Sequence, residues 1–140
     1  MFLIDTNVFS ELAKPEPNHG VVRWLADHEN GIFISSITIA EIQSGIARLV
    51  PSRRRETLQS FLNTLRENYS GSIIPFAESD AIAWGFLDAQ LHQKGRKIPA
   101  RDSLLAATAL ARNLAIVTRN EKDFAPTEVK IVNPWKAPDR

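Results

Sequence analysis

The chain has 140 residues, carries a formal net charge of +1 and is 44% hydrophobic, which predicts one globular domain with a buried core. It contains no cysteine, so disulfides and thiolate metal ligands are excluded, and we expect a cytoplasmic protein. No apolar run reaches the roughly 20 residues of a membrane span, and the N-terminus lacks the pattern of a signal peptide.

Five short apolar segments predict buried strands. The first comprises residues 2–4 and runs directly into Asp5, and the others cover residues 32–34, 72–76, 115–118 and 129–132. Segments with helical periodicity separate them, so the chain alternates between strands and helices. That alternation predicts an α/β protein with a central parallel β-sheet flanked by helices and joined by right-handed crossovers.

The segments with helical periodicity cover residues 8–14, 21–30, 39–49, 52–69, 79–93 and 101–112. Thr6 or Asn7 is expected to cap the first helix, because short polar side chains accept hydrogen bonds from the free amides there. The fifth helix is expected to turn Ile82 and Phe86 inward together with its leucines.

Three consecutive arginines, Arg53 to Arg55, begin the fourth helical segment. The helix dipole disfavours cations at that end, so their position carries a small cost. The interpretation favoured by the sequence is nevertheless an exposed, solvated face.

The C-terminal part of the chain is less regular. Residues 119–124 are predicted to form a loop after the fourth strand. We expect a single domain over residues 1–135 and a loose tail over residues 136–140.

Acidic residues follow strands or begin helices at several points along the chain. Asp5 ends the first strand, Glu41 lies early in the helix after the second, and Asp123 follows the fourth. These three should share one edge of a parallel sheet, because strand ends and the starts of the following helices meet there. Asp102 precedes a strand instead, so it reaches that edge only if its helix leans in from the side.

A cluster of carboxylates needs a compensating cation or a proton. Oxygen ligands without cysteine or histidine favour a hard ion, Mg²⁺ or Mn²⁺. Such ions activate water for the hydrolysis of phosphate esters, and a modestly basic surface around an acidic pocket suits a polyanionic substrate.

Each acid also has a purely structural interpretation, and the pattern alone leaves it open. Asp5 could simply cap the first helix, and Glu41 could complete a capping box with Thr38. Asp102 could be an acid favoured by the helix dipole, and Asp123 could be a turn residue.

Taken together, the motifs resemble the PIN domain, and in particular the VapC/FitB-type toxins of bacterial type II toxin–antitoxin systems. The resemblance covers essentially the whole chain. The segments that carry it are Asp5-Thr6-Asn7, Glu41 in Ser-x-x-x-x-Glu-Ile, Arg101-Asp102-Ser103-Leu104-Leu105-Ala106-Ala107, Val117-Thr118-Arg119-Asn120-x-x-Asp123-Phe124 and Asn133-Pro134-Trp135.

The resemblance implies a Mg²⁺- or Mn²⁺-dependent endoribonuclease, a hydrolase that cleaves RNA phosphodiesters. Asp5 and Asp102 match the principal metal ligands of the family, and Glu41 matches the third acid. Asn120 and Asp123 compete for the fourth acidic position, and Asp123 is favoured because it is the acid. Supporting polar roles are implied for Thr6, Asn7, Thr118 and Asn120.

The resemblance also implies a homodimer that is inhibited by a cognate antitoxin of the VapB/FitA kind. Two other functions remain to be weighed. One is a PIN-like module that binds nucleic acid or protein without cutting it. The other is a phosphatase with an aspartyl nucleophile, which wants a second acid where Asn7 stands.

Overall fold

Five short parallel strands form the central sheet of the computed structural model, which describes residues 1–136. The strands are β1 (Phe2–Ile4), β2 (Ile32–Ser35), β3 (Ile73–Ile74), β4 (Ala115–Val117) and β5 (Ile131–Val132). They lie in the order β3-β2-β1-β4-β5, and every neighbouring pair is parallel. The predicted strands and the α/β class are therefore confirmed.

The strand order reverses direction beside β1. The chain first builds outward through β2 to β3, and then returns to place β4 on the other side of β1. Ile4 pairs with Val117 in register, and the Asp5 amide donates to the Val117 carbonyl at 3.0 Å. Ligands of open parallel sheets bind at such a reversal, outside the carboxyl ends of the strands. Asp5 and Thr118 directly follow the last residues of β1 and β4, so they lie side by side at this edge of the sheet.

Seven α-helices connect the strands within residues 1–136. They are α1 (Thr6–Leu12), α2 (His19–Asp27), α3 (Ser36–Ala47), α4 (Arg53–Asn68), α5 (Glu78–Gln93), α6 (Ala100–Arg112) and α7 (Glu121–Phe124). The first six confirm the predicted helices with shifts of a few residues at their ends. The loop predicted over residues 119–124 is wrong in its second half, because α7 forms there. A four-residue helix is too short to give a periodic signal, and the full burial of Phe124 holds it in place.

The cap of α1 is the alternative that the sequence left open, Asp5, and the cap of α3 differs from the expected Thr38. Asp5, rather than Thr6 or Asn7, caps α1 by accepting a hydrogen bond from the Thr6 amide at 2.7 Å. Ser35 caps α3, and its hydroxyl accepts from the Ile37 amide at 3.0 Å. Glu41 therefore lies in the second turn of α3, too far along for a capping box. That structural explanation of Glu41 is wrong.

The sheet is buried on both faces, as its continuous apolar strands predict. In β1, Leu3 belongs to the core beneath α5 and α6, and Ile4 belongs to the core beneath α1 to α4. The first core includes Leu87, Leu91, Leu105, Ile116 and Phe124. The second includes Val8, Phe9, Val21, Ile34 and Leu62.

The inward face of α5 is not the predicted one. Leu87 and Leu91 are buried, but Ile82 and Phe86 are 56% and 71% exposed. The helix carries apolar residues around most of its circumference, so periodicity alone does not select the face that meets the sheet. Packing on α6 selects the face of Trp84 and the two leucines.

A buried ion pair joins the start of α5 to the end of α6. Asp80 is fully buried and accepts hydrogen bonds from Arg112 Nε at 3.1 Å and Nη2 at 2.9 Å, and from the Ala77 amide at 2.8 Å. Burial alone would raise the pKa of Asp80, but these hydrogen bonds outweigh it and hold the pKa below its ordinary value of 3.8. The pair fixes the two helices that carry Asp102 and Phe86.

The described part of the chain ends in a short turn after β5. Lys136 completes a short 3-10 turn, Pro134–Lys136, and the rest of the predicted tail, residues 137–140, lies outside the described part. Among residues 1–136, no helix combines the length and the apolarity required to cross a bilayer.

We predict that Arg112→Met lowers the free energy of unfolding by about 3 kcal/mol at pH 7, because it leaves the Asp80 carboxylate buried without its partner. Urea denaturation measures the change, with Arg23→Met on the exposed side of α2 as control. The difference between wild type and Arg112→Met should narrow as the pH falls, because the contribution of a carboxylate with a lowered pKa is lost when it is protonated. Equal losses in Arg112→Met and Arg23→Met would contradict this account.

Candidate active site

Asp5 presents a buried, firmly held carboxylate at the end of β1. It is 3% exposed. One oxygen, Oδ1, accepts from the Thr6 amide at 2.7 Å. The other, Oδ2, accepts from the Thr118 hydroxyl at 2.8 Å and from Asn7 Nδ2 at 3.2 Å. Asp5 therefore caps α1 and faces the end of β4 at the same time, so its structural and functional interpretations do not exclude each other.

Thr118 and Asn7 lock the orientation of this carboxylate. The Thr118 oxygen accepts from Asn7 Nδ2 at 3.1 Å and from the Asn120 amide at 3.0 Å, which leaves its own proton for Asp5. Asn7 Oδ1 accepts from the Arg119 amide at 3.3 Å. The polar groups that flank Asp5 in sequence and at the end of β4 thus form one network.

Asp102 lies in the first turn of α6 and is 2% exposed. Its carboxylate accepts from Arg101 Nη2 at 3.2 Å, and Arg101 Nη1 pairs with Glu41 Oε2 on α3. The Arg101 guanidinium therefore bridges the acids of two helices that are far apart in the chain.

The charges of the acids act on one another. Burial is the main cause that raises the pKa of Asp5 and of Asp102 above 3.8. The charges of Asp5 and Asp123 raise the pKa of Asp102 further, and Arg101 lowers it in part. For Asp5, hydrogen bonds from Thr118 and the Thr6 amide also oppose the rise. The Arg101 bridge from Asp102 to Glu41 shows that the start of α6 lies against α3, the helix that follows β2.

The carboxylates do not form a ready-made chelate. No three Asp, Glu or His side chains in the described part of the chain group closely enough to hold a metal ion. Arg101 contacts both Glu41 and Asp102, so the positive charge that compensates these acids comes from a side chain and not from a metal ion. Its side chain is 43% exposed and has a route to solvent.

Two observations nevertheless fit a hard divalent ion at this place. Every charged donor is a carboxylate oxygen, the ligand type preferred by Mg²⁺ and Mn²⁺. Thr6 Oγ1 is also buried without a hydrogen bond among residues 1–136, whereas Glu41 Oε2, which makes no hydrogen bond there, is compensated by its ion pair with Arg101. A buried oxygen without a donor is costly unless a cation or a donor compensates it.

Asn120 and Asp123 lie on the other flank of the site. Asn120 offers its backbone amide to Thr118, and its side chain makes no capping contact with α7. Asp123 raises the pKa of both Asp5 and Asp102 through its charge. A nearby surface contact gives no signal in the sequence: the Arg119 guanidinium lies 5.6 Å from the Trp135 ring centroid.

Comparison with known proteins agrees with the fold. The family model described as PIN domain matches residues 2–129. The chain belongs to the PIN-domain family. This PIN domain is 34% identical over 137 residues to Toxin FitB of Neisseria gonorrhoeae, covering 96% of this chain and 99% of that protein.

Two further relatives span nearly the full length of this PIN domain. Ribonuclease VapC2 of Rickettsia felis is 33% identical over 137 residues, covering 96% of this chain and 98% of the relative. The crystal structure of FitAcB from Neisseria gonorrhoeae superposes with a TM-score of 0.89 at 34% identity, covering 97% of this chain and 99% of the other.

We predict that Asp102→Asn makes the metal-free PIN domain more stable at pH 7. The substitution removes a buried charge whose raised pKa costs stability whenever the group is ionised. The gain should be complete above the raised pKa of Asp102 and vanish as the pH falls to the ordinary value of 3.8, since the wild-type group is then protonated as well.

Thermal unfolding in the presence of a chelator measures this effect, with the exposed Asp88→Asn on α5 as control. A lower melting temperature for Asp102→Asn than for wild type at pH 7 would contradict the electrostatic description of the site.

Proposed function

We propose that this PIN domain is a Mg²⁺- or Mn²⁺-dependent endoribonuclease and the toxin of a type II toxin–antitoxin system. The observation that carries the proposal is the pair of buried carboxylates, Asp5 and Asp102, which interact electrostatically at the strand-order reversal beside β1. Relatives named a toxin and a ribonuclease, similar over nearly their whole lengths, support it.

Asp5, Asp102 and Glu41 are the residues that would hold the metal. Asp123 is our choice for the fourth acid over Asn120, because its charge acts on Asp5 and Asp102 whereas the Asn120 contact to the site is through the backbone. A bound ion supplies a polarised phosphoryl oxygen and a water of lowered pKa that attacks phosphorus.

The residues of the chain prepare this chemistry in two ways. Thr118 and Asn7 donate to one oxygen of Asp5 and fix its direction, as the outer-shell partners of ligating carboxylates do. Arg101 neutralises Glu41 and Asp102. A metal ion would compete with Arg101 for these carboxylates, and a substrate phosphate would compete with them for its guanidinium. Thr6 and Asn120 are the remaining supporting polar groups.

Two other functions are less well supported. A silent PIN-like module that only binds nucleic acid or protein would not need the costly burial of two acids with raised pKa values. A phosphatase with Asp5 as its aspartyl nucleophile would require a second acid two residues further along the chain. Asn7 occupies that position, and its amide is hydrogen-bonded to Asp5 and Thr118.

The proposed partners are an RNA substrate, a VapB/FitA-like antitoxin whose C-terminal segment covers the acidic pocket, and a second copy of this chain. We place the protein in the cytoplasm, where these partners occur. The homodimer has a candidate surface on α5, where Ile82 and Phe86 lie one turn apart and are exposed.

We predict that the purified protein cleaves single-stranded RNA with Mg²⁺ or Mn²⁺ and that EDTA abolishes cleavage. Asp5→Asn should lower the rate by at least about 100-fold, the order expected when a catalytic electrostatic group is lost. A gel assay on labelled RNA measures the rates, with Asp88→Asn as control. Equal rates for wild type and Asp5→Asn would refute the assignment, and RNA binding without cleavage by wild type would favour the silent module.

We predict that Phe86→Glu shifts the protein toward the monomer, because it places a charge on the exposed apolar face of α5. Sedimentation velocity over a concentration series measures the shift. Gln90→Glu, one turn further along the same helix, adds the same charge without removing apolar surface. A dimer that tolerates Phe86→Glu would exclude this face.

A further inference from the structure

Two neighbouring depressions lie beside Glu41 and the arginines of α4. The first, of about 270 Å³, is lined by residues of α1, α3 and α4, among them Thr6, Glu41 and Arg54. The second, of about 810 Å³, is lined by Lys14, Arg53 and Arg54 among others. They share the lining residues Ser10, Ala13, Arg54 and Leu58, and the two together are called the groove below.

This groove carries positive charge that the described residues do not neutralise. Arg53 and Arg54 are exposed, and neither forms an ion pair with a carboxylate among residues 1–136. Lys14 contributes less, since it pairs with Glu11 at 3.0 Å. The arginines also oppose the dipole of α4, so local helix energetics do not account for their position.

The groove also has an apolar lining. Ile42, Leu49 and Phe61 belong to it and are all partly exposed. A single RNA strand presents regularly spaced phosphates and flat base faces, which bind guanidinium groups and apolar or aromatic side chains respectively. The lining of the groove combines one acid of the proposed site, Glu41, with apolar side chains and two arginines, which suits a strand that leaves the cleavage point.

We propose that this groove holds the RNA strand on one side of the scissile phosphate, with Arg53 and Arg54 contacting backbone phosphates. The proposal rests on the ribonuclease function proposed above and deepens it by naming residues that position the substrate. Arg53 and Arg54 are exposed, as the sequence predicts, and they line the groove that Glu41 also lines.

The basic residues on the opposite flank are less available to RNA. Lys136 pairs with Glu121 at 2.8 Å, and Arg119 lies against the Trp135 ring. Asp123 lines the same surface and repels phosphate. Lys122 also lines this surface and forms no ion pair among residues 1–136, but two acids, Glu121 and Asp123, line it as well, whereas no acid lines the depression that contains both Arg53 and Arg54. Charge therefore favours the α4 side of the site.

The chain offers a matched control in the third arginine of the run. Arg55 lies in the same helical turn, but it lines a separate surface depression with Pro51 and Gln59 and does not line the groove. Arg55→Gln removes one positive charge, half the change of a double variant of Arg53 and Arg54, and leaves the groove intact.

The test compares the double variant Arg53→Gln/Arg54→Gln with Arg55→Gln and wild type. Binding of a fluorescein-labelled, mixed-sequence single-stranded RNA is measured in EDTA by anisotropy over a salt series, and cleavage kinetics are measured with Mn²⁺. Loss of two phosphate contacts should reduce the slope of log K against log salt by about 1.4 and weaken binding roughly tenfold. KM should rise while kcat changes little, because neither arginine touches the reacting atoms.

Arg55→Gln should behave as wild type, and circular dichroism melting should show all variants folded. The proposal is overturned if the double variant binds RNA with unchanged affinity and cleaves it with unchanged KM. If that variant also binds the antitoxin less tightly, the groove belongs to the protein partner instead of to RNA. If wild type cleaves no RNA, the proposed function fails, and the binding measurements still decide whether the groove holds an RNA strand.

Discussion

The hydrogen bond between the Thr118 hydroxyl and the Asp5 carboxylate is the contact on which the rest of the site depends. It joins the ends of β1 and β4, the two strands between which the sheet reverses its order. Without it, the buried Asp5 oxygen would lose its shortest side-chain donor in a place where burial already raises its pKa. Asn7 adds a second donor, so the carboxylate is held from the start of α1 and from the end of β4.

The acids of this site are expensive in the absence of a metal, and the chain compensates them internally. Arg101 is placed by α6 against Asp102 and reaches across to Glu41. A guanidinium and a divalent ion meet the same need for positive charge, but only the ion activates water. These buried acids therefore lower the stability of the folded protein unless a cation compensates their charge. Such a conflict between stability and activity is usual in catalytic sites.

Local sequence patterns were sufficient for the strands, six of the helices and the position of Asp5, because each follows from a short apolar run or a cap. The position of Asp102 relative to the other acids could not be predicted from the order of the elements, because it depends on how α6 packs across the sheet. The buried face of α5 was mispredicted for a related reason: apolar residues surround that helix, and only its neighbour α6 decides between them.

Other features lay beyond any local pattern. The Asp80–Arg112 pair joins residues 32 positions apart, and neither partner stands in a motif that distinguishes it from a surface charge. The cap of α3 is Ser35, three residues before Thr38, so Glu41 lies too far along the helix to complete a capping box. A shift of a few residues at a helix end is enough to remove a capping role from an acid in the first turns.

The central position of β1 has a consequence for how the protein is made. The first strand to leave the ribosome pairs on one side with β2, but its other neighbour, β4, is synthesised more than a hundred residues later, since Thr118 lies 113 positions from Asp5. Such distant pairing makes folding slow and late. A nascent chain that lacks its last quarter has neither β4 nor Thr118, so the Asp5 carboxylate acquires its orienting hydroxyl only at the end of synthesis.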